Sequence, residues 1–227
     1  MESKAVIFDL FSTLVSSLTW NDYLERSYGI ADILGAPRDH FADKWKATNI
    51  RLDRGEFPDA RAAIDSICGD LAHTTTQDSL DQASTYWDDV MELRPYDGLS
   101  KTLESITASE RRLGLLTNCQ PHLLPKWNDS SFAKHFHTMV FSCVEQLVKP
   151  DPAIYHIACE RLDLKPEECI FVGDGGSDEL SGASSVGMRA IQILHDDVLD
   201  GTKFRPDTAK WEGEVVRSFD ELLDSIL

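Results

Sequence analysis

Five short apolar runs, AVIFD, RLGLLTN, TMVFSC, CIFVGD and RAIQIL, recur along the chain with helix-patterned stretches between them. That alternation limits the fold more than any other feature. The runs are apolar almost throughout rather than at every second residue, as in strands buried on both faces. Buried strands that alternate with helices build an α/β fold, a doubly wound and mostly parallel sheet of Rossmann-like type. The intervening stretches carry the helical period. In DPAIYHIACERL, Ile154, Ile157, Ala158 and Leu162 recur at helical spacing, and Pro152 suits a first turn. DGLSKTLESITAS, DELSGASSVG and the terminal SFDELLDSIL read the same way.

The stretch from Ser17 to Arg94 breaks the alternation. WNDYLERSYGIADIL, DHFADKWKATNIRLDRG, DARAAIDSICGDLA and DSLDQASTYWDDVMEL are helical in pattern and contain no convincing strand. Placed after the first strand and before the second, they predict a small all-α domain over residues 16–95, inserted into an α/β core made of 1–15 and 96–227. Pro95, Asp97 and Gly98 mark the return to the core. The length of 227 residues suits one core with such an insert.

Charge narrows the partners. The chain carries 22 Lys and Arg against 39 Asp and Glu, a formal charge of −17. Such a surface repels phosphate backbones and anionic lipid headgroups, so neither nucleic acid nor a membrane is expected as a partner. An anionic small molecule meets the same field, and its site must supply local positive charge or a metal. The five cysteines are scattered and form no CxxC pair, which fits free thiols in a reducing cytoplasm. No run approaches the ~18 apolar residues that crossing a membrane requires. A cytoplasmic monomer or homodimer is the expectation.

Ligands of open parallel sheets bind beyond the carboxyl ends of the strands, so the polar residues there are the candidates. The first strand ends at Asp9, with Ser12 and Thr13 just beyond. The second delivers Thr117 and Asn118, the third leads to Lys149, and the fourth delivers Asp174 with Asp178 and Glu179 behind it. Any one of these has a bland reading: a turn cap, a strand-end threonine, a solvated lysine. An ordered set over four strand ends does not.

The pieces FDLFSTL, LLTN, VKPDPAIY and VGDGGSDELSGASSVGM, in this order, resemble the haloacid dehalogenase-like (HAD) hydrolase superfamily. The likeness covers residues 1–15 and about 96–215, and the helical insert falls where that superfamily carries its variable cap. The resemblance implies hydrolysis through a covalent aspartyl intermediate on Asp9. It implies that Thr117 and Asn118 hold the transferring group's oxygens, with Thr13 also at the substrate, and that Lys149 neutralises charge on nucleophile and substrate. It implies Mg²⁺ held by Asp9, the Phe11 backbone carbonyl, Asp174 and an acid at Asp178 or Glu179. The spacing from Asp174 favours Asp178, while the offset to Gly182 and Ala183 favours Glu179. Asp178 has a slight edge, and whichever acid it is serves to order Lys149 or a metal-bound water rather than to act as sole ligand.

One position departs from the pattern. Phosphatases of the superfamily carry a second Asp two residues after the nucleophile, where this chain has Phe11. Phenylalanine moves no proton, and general acid–base help is worth roughly 10²–10⁴ in rate. The superfamily's 2-haloacid dehalogenases have an aromatic residue here and need neither acid nor metal, which makes metal-free dehalogenation the rival to Mg²⁺-dependent phosphatase action on a small phosphorylated metabolite. The acid at Asp174 tips the reading toward the phosphatase. A third alternative is a protein impaired in catalysis that binds metal or phosphate and acts through a partner. His40 and Asp53, in the insert, are the cap-borne acids that could stand in for the missing Asp. Arg51 and Arg54 are the candidates for a substrate anion. Trp20, Trp45 and Trp87 read as packing or as a pocket floor, Cys119 as a small residue beside the pocket, and Tyr155 as packing of its helix against the sheet.

Overall fold

A computed structural model describes residues 3–89, 93–195 and 210–227. The ends of the core and insert spans at 1–2, 90–92 and 196–209, including the tail of DSLDQASTYWDDVMEL, lie outside the described residues. Six parallel strands form one sheet: β1 (Ala5–Phe8), β2 (Arg112–Thr117), β3 (Thr138–Phe141), β4 (Cys169–Gly173), β5 (Arg189–Ile193) and β6 (Glu214–Val216). Their spatial order is β3-β2-β1-β4-β5-β6, so the winding reverses at β1. The registers are parallel throughout, with Phe8 opposite Leu115 on one side and Val172 on the other. The first five strands are the five apolar runs. The sixth, three residues long and half-exposed at the sheet edge, was too short to carry a pattern.

The two faces of the sheet bury different sets of side chains, as strand alternation requires. Val6, Phe8, Leu113, Leu115, Ile170 and Val172 meet α5 (Leu99–Ala108), α6 (Leu123–Asp129) and α10 (Phe219–Ile226) on one face. Ala5, Ile7, Leu116, Val140 and Phe171 meet α8 (Pro152–Arg161) and α9 (Glu179–Ser185) on the other. Between β3 and α8 lies the single turn α7 (Ser142–Glu145). Pro152 opens α8 after Asp151, whose side chain accepts from the Ala153 N–H as an N-cap.

The insert is α1 (Trp20–Leu34), α2 (Arg38–Asp53), α3 (Ala60–Asp70) and α4 (Gln77–Asp88). These helices have an apolar cluster of their own around Ile30, Phe41, Trp45, Leu52, Ile64 and Trp87, separate from both sheet clusters. The chain leaves and re-enters the core through two adjacent segments. Ser16 N–H donates to Arg94 O, and Tyr96 N–H to Leu14 O, at 2.9 and 3.0 Å. Everything that follows sits between the carboxyl ends of β1, β2 and β4 and the helices standing over them. Among the described residues, no helix is long and apolar enough to cross a membrane.

Candidate active site

Asp9 is placed by the sheet itself. Its N–H donates to Val172 O of the neighbouring strand at 2.9 Å, so its position is tied to β4 as well as to β1. The carboxylate is buried, and the ammonium of Lys149 stands 2.5 Å from its Oδ1. Lys149 is buried too, and its Nζ also pairs with Glu179 Oε2. Burial alone would drive off the ammonium proton, but Asp9 and Glu179 outweigh it and hold the lysine well above its usual range. Asn118 holds the lysine's backbone: its Oδ1 accepts from the Lys149 N–H at 2.9 Å.

Asp174 follows β4. Its Oδ1 accepts from the Gly176 N–H at 2.9 Å, and Gln192 of β5 donates to its carbonyl at 3.0 Å. Behind it, Gly175, Ser177 and Asp178 all take positive φ, of 98°, 59° and 53°. This coil uses one more residue than a tight turn would, so the acid that returns to Lys149 is the fifth after Asp174. The slight edge given to Asp178 is therefore corrected: Asp178 is half-buried and lies off the cavity wall, while Glu179 is fully buried within it. Glu179 Oε1 accepts from the Gly175 N–H at 3.0 Å, and the Tyr155 hydroxyl donates to the Glu179 carbonyl at 2.9 Å. Tyr155 packs on Phe171 as expected and also braces that loop. Burial, reinforced by Asp9 and Asp174 and opposed by Lys149, pushes the Glu179 carboxyl well above the usual range.

Oxygens of Asp9, Asp174 and Glu179 lie within 4.8 Å of one another. Three hard oxygen donors so close, with a single ammonium between them, fit a small divalent cation such as Mg²⁺, which takes a few carboxylates and keeps waters for the rest. Without a cation, three acids share the single ammonium of Lys149, an expensive arrangement in a buried site whenever they are ionised together.

These groups form one end of a cavity of about 320 Å³. The insert supplies the other end: Trp20 and Tyr23 from α1, Asn49 and Asp53 from α2, and Trp87 from α4. A polar seam joins the two. Gln120 accepts from Trp87 Nε1 at 2.9 Å and donates to Asn49 Oδ1 at 2.7 Å, while the Ser142 hydroxyl donates to Asp53 O at 2.6 Å. His122 lies on the wall, and burial lowers its pKa to about 4, so it is neutral. Tyr23, Asn49, Gln120 and His122 were not found from sequence. Only the TNCQPH continuation of β2 hinted at the last two.

Other expectations are corrected. Arg51 and Arg54 are exposed and do not line the cavity. Arg51 instead pairs with Glu56 at 2.7 Å and lies over the Phe57 ring. Arg51 lies in the last turn of α2 and Arg54 just past its end. His40 is exposed at the far end of the same helix. Thr13 and Thr117 are fully buried but stand behind the wall rather than in it. Trp45 packs in the insert's own core, whereas Trp20 and Trp87 reach the cavity. Cys119 is on the wall with its thiol pushed up by burial, consistent with a small residue rather than a nucleophile. Phe11 is on the wall, where the family pattern has its second carboxylate.

The family model for haloacid dehalogenase-like hydrolases matches residues 3–187. The chain is 30% identical over 106 residues to (S)-2-haloacid dehalogenase 4A of Burkholderia cepacia, covering 45% of this chain and 44% of that protein. It is 31% identical over 104 residues to the glyceraldehyde 3-phosphate phosphatase of Methanopyrus kandleri, covering 44% of each. Either match spans less than half of the relative's length. Among solved structures, the HAD phosphatase from Thermococcus onnurineus superposes with a TM-score of 0.66 at 21% identity, over 98% of this chain and 97% of that one, a likeness of fold.

Proposed function

The chain belongs to the haloacid dehalogenase-like hydrolases, and from that premise we propose that it is a Mg²⁺-dependent phosphatase acting on a small phosphate monoester through a covalent intermediate on Asp9. The observation that carries the reading is the buried trio Asp9, Asp174 and Glu179 against the one ammonium of Lys149. One ammonium among three acids leaves a place for the positive charge of a divalent cation, and a phosphate group is the ligand such a cation presents well. A 2-haloacid would bring a further carboxylate. Among the described residues that line the cavity, Lys149 is the only lysine or arginine, and it is already shared by two acids.

In this reading Asp9 attacks phosphorus and water later hydrolyses the aspartyl phosphate. Lys149 pairs with Asp9 and faces the charge that develops on the phosphoryl oxygens. Asn118 and Glu179 keep the lysine in place. Mg²⁺, when bound by Asp9, Asp174 and the Phe11 carbonyl, supplies charge neutralisation at those oxygens. The expected substrate is a small anion, and the five free thiols support a reducing, cytoplasmic setting. Phe11 favours the second reading, metal-free dehalogenation, because halide leaves without a proton.

One comparison separates them. Purified protein is assayed on an aryl phosphate with Mg²⁺ and with a chelator, and in parallel on 2-chloropropionate with halide detection. Phosphate release that depends on Mg²⁺ and disappears in Asp9→Asn is the expected result. Halide release that ignores the chelator would overturn it.

A further inference from the structure

The geometry points to Asp53, on the inserted helix α2, as the group that protonates the leaving oxygen and then takes the proton of the hydrolytic water, in place of the carboxylate that Phe11 lacks. This rests on the phosphatase reading above. Four acids line the cavity among the described residues. Three of them, Asp9, Asp174 and Glu179, form the cluster around Lys149. Asp53 is the fourth, and it alone stands on the opposite wall, where the part of a substrate beyond the phosphate must lie.

Its surroundings suit a proton carrier. Asp53 is the last residue of α2, at the negative end of the helix dipole, which disfavours a second negative charge there. The Ser142 hydroxyl fixes its backbone carbonyl, so the residue is anchored from the core side as well as from the helix. The groups facing it are few: Lys149 and the Gln120 amide, which favour the carboxylate, and the Tyr23 hydroxyl and the thiols of Cys119 and Cys143, whose own ionisation it opposes. Burial outweighs Lys149 and raises the Asp53 carboxyl to about 7. Such a group gives and accepts a proton at neutral pH.

The steps balance. As Asp9 oxygen bonds to phosphorus, the bond from phosphorus to the leaving oxygen breaks, and the Asp53 carboxyl proton passes to that oxygen to release the alcohol. Water then attacks the phosphorus of the aspartyl phosphate and gives a proton to the Asp53 carboxylate. Phosphate departs, Asp9 is regenerated, and Asp53 is again protonated.

A leaving group that needs no proton does not need Asp53 in the first step, the one that kcat/KM reports, although hydrolysis of the intermediate and hence kcat would still slow, and this sets the test. With Asp53→Asn, kcat/KM on an alkyl phosphate should fall roughly 10²–10⁴-fold while that on nitrophenyl phosphate stays within about threefold. The aryl substrate thus doubles as the control for a folded site. In the wild-type protein, the alkyl-to-aryl ratio of kcat/KM should fall about tenfold per pH unit once Asp53 has lost its proton, above pH about 7. Equal loss on both substrates, no loss on either, or a ratio flat with pH would overturn the assignment. The wild-type ratio decides if the variant does not fold. If the wild-type protein releases no phosphate even from the aryl ester with Mg²⁺, the phosphatase reading itself fails, and that outcome is distinct from failure of Asp53 alone.

Discussion

Replacing Gly173 by alanine puts a methyl where the structure has a carboxylate. A Cβ at Gly173 would sit 2.2 Å from Glu179 Oε1 and 2.6 Å from its Cδ, with Phe171 Cε1 at 3.0 Å. Glu179 cannot retreat freely, because that oxygen accepts from the Gly175 N–H and its other oxygen from Lys149. Moving it gives up two hydrogen bonds to a charged group, at about 1.5–3 kcal/mol each. Alanine in a strand regains roughly 0.5–1 kcal/mol over glycine. The net expectation for Gly173→Ala is therefore a loss of about 2–5 kcal/mol. Urea unfolding measures it as a lower midpoint with an unchanged slope. Glu179 supplies the two shortest of these contacts, so most of the clash should vanish with it: in a Glu179→Ala background, Gly173→Ala should cost under about 1 kcal/mol. Additive losses in the double variant, or a single-variant loss below about 1 kcal/mol, would refute the reasoning, since Glu179 would then not be pinned where the structure places it.

Lys149→Met should leave the protein able to bind Mg²⁺ but lower kcat by about 10²–10³, the scale for removing a pre-placed charge from a transition state, as read by phosphate release. Gln192→Leu removes the donor to the Asp174 carbonyl and should weaken Mg²⁺ about tenfold, measured by calorimetric titration. Arg51→Ala, which breaks an exposed pair with Glu56 and a contact over the Phe57 ring, should leave KM within about twofold and stability within ~1 kcal/mol. Asp53→Asn should also change how stability responds to pH. The folded-state pKa is raised to about 7, so the wild-type protein gains from Asp53 at low pH and loses that gain as pH rises from about 4 to 7. The difference in melting temperature between wild type and variant should therefore narrow or invert over that interval and level off above it.

The strands were legible because each is buried on both faces and so reads as a continuous apolar run, and the polar residue that stops each run is what faces the crevice. Asp9, Asn118 and Asp174 were reachable on that logic alone, whereas Lys149 lies well past the end of β3 and took its place from the family resemblance. Glu179 was ambiguous because the choice between it and Asp178 depends on three left-handed residues in the loop, Gly175, Ser177 and Asp178, and only the folded loop shows that Ser177 and Asp178 accept such angles. Arg51 and Arg54 misled for a different reason. The sequence places them on α2 near Asp53, but which flank of a helix meets the cavity is decided by packing between α2 and its neighbours, and here the carboxylate faces in while both guanidiniums face water. Tyr23 and Asn49 carried no pattern at all, since each matters only where the insert meets the core.

Asp9 and Asp174 grow from adjacent strands, and the backbone of one donates to the strand that carries the other. The gap between these two anchors is thus an interval of the hydrogen-bonded ladder, a dimension no side chain sets. Reshaping the helical roof can change what enters and how protons move without retuning that gap, and only melting the central pair of strands would alter it.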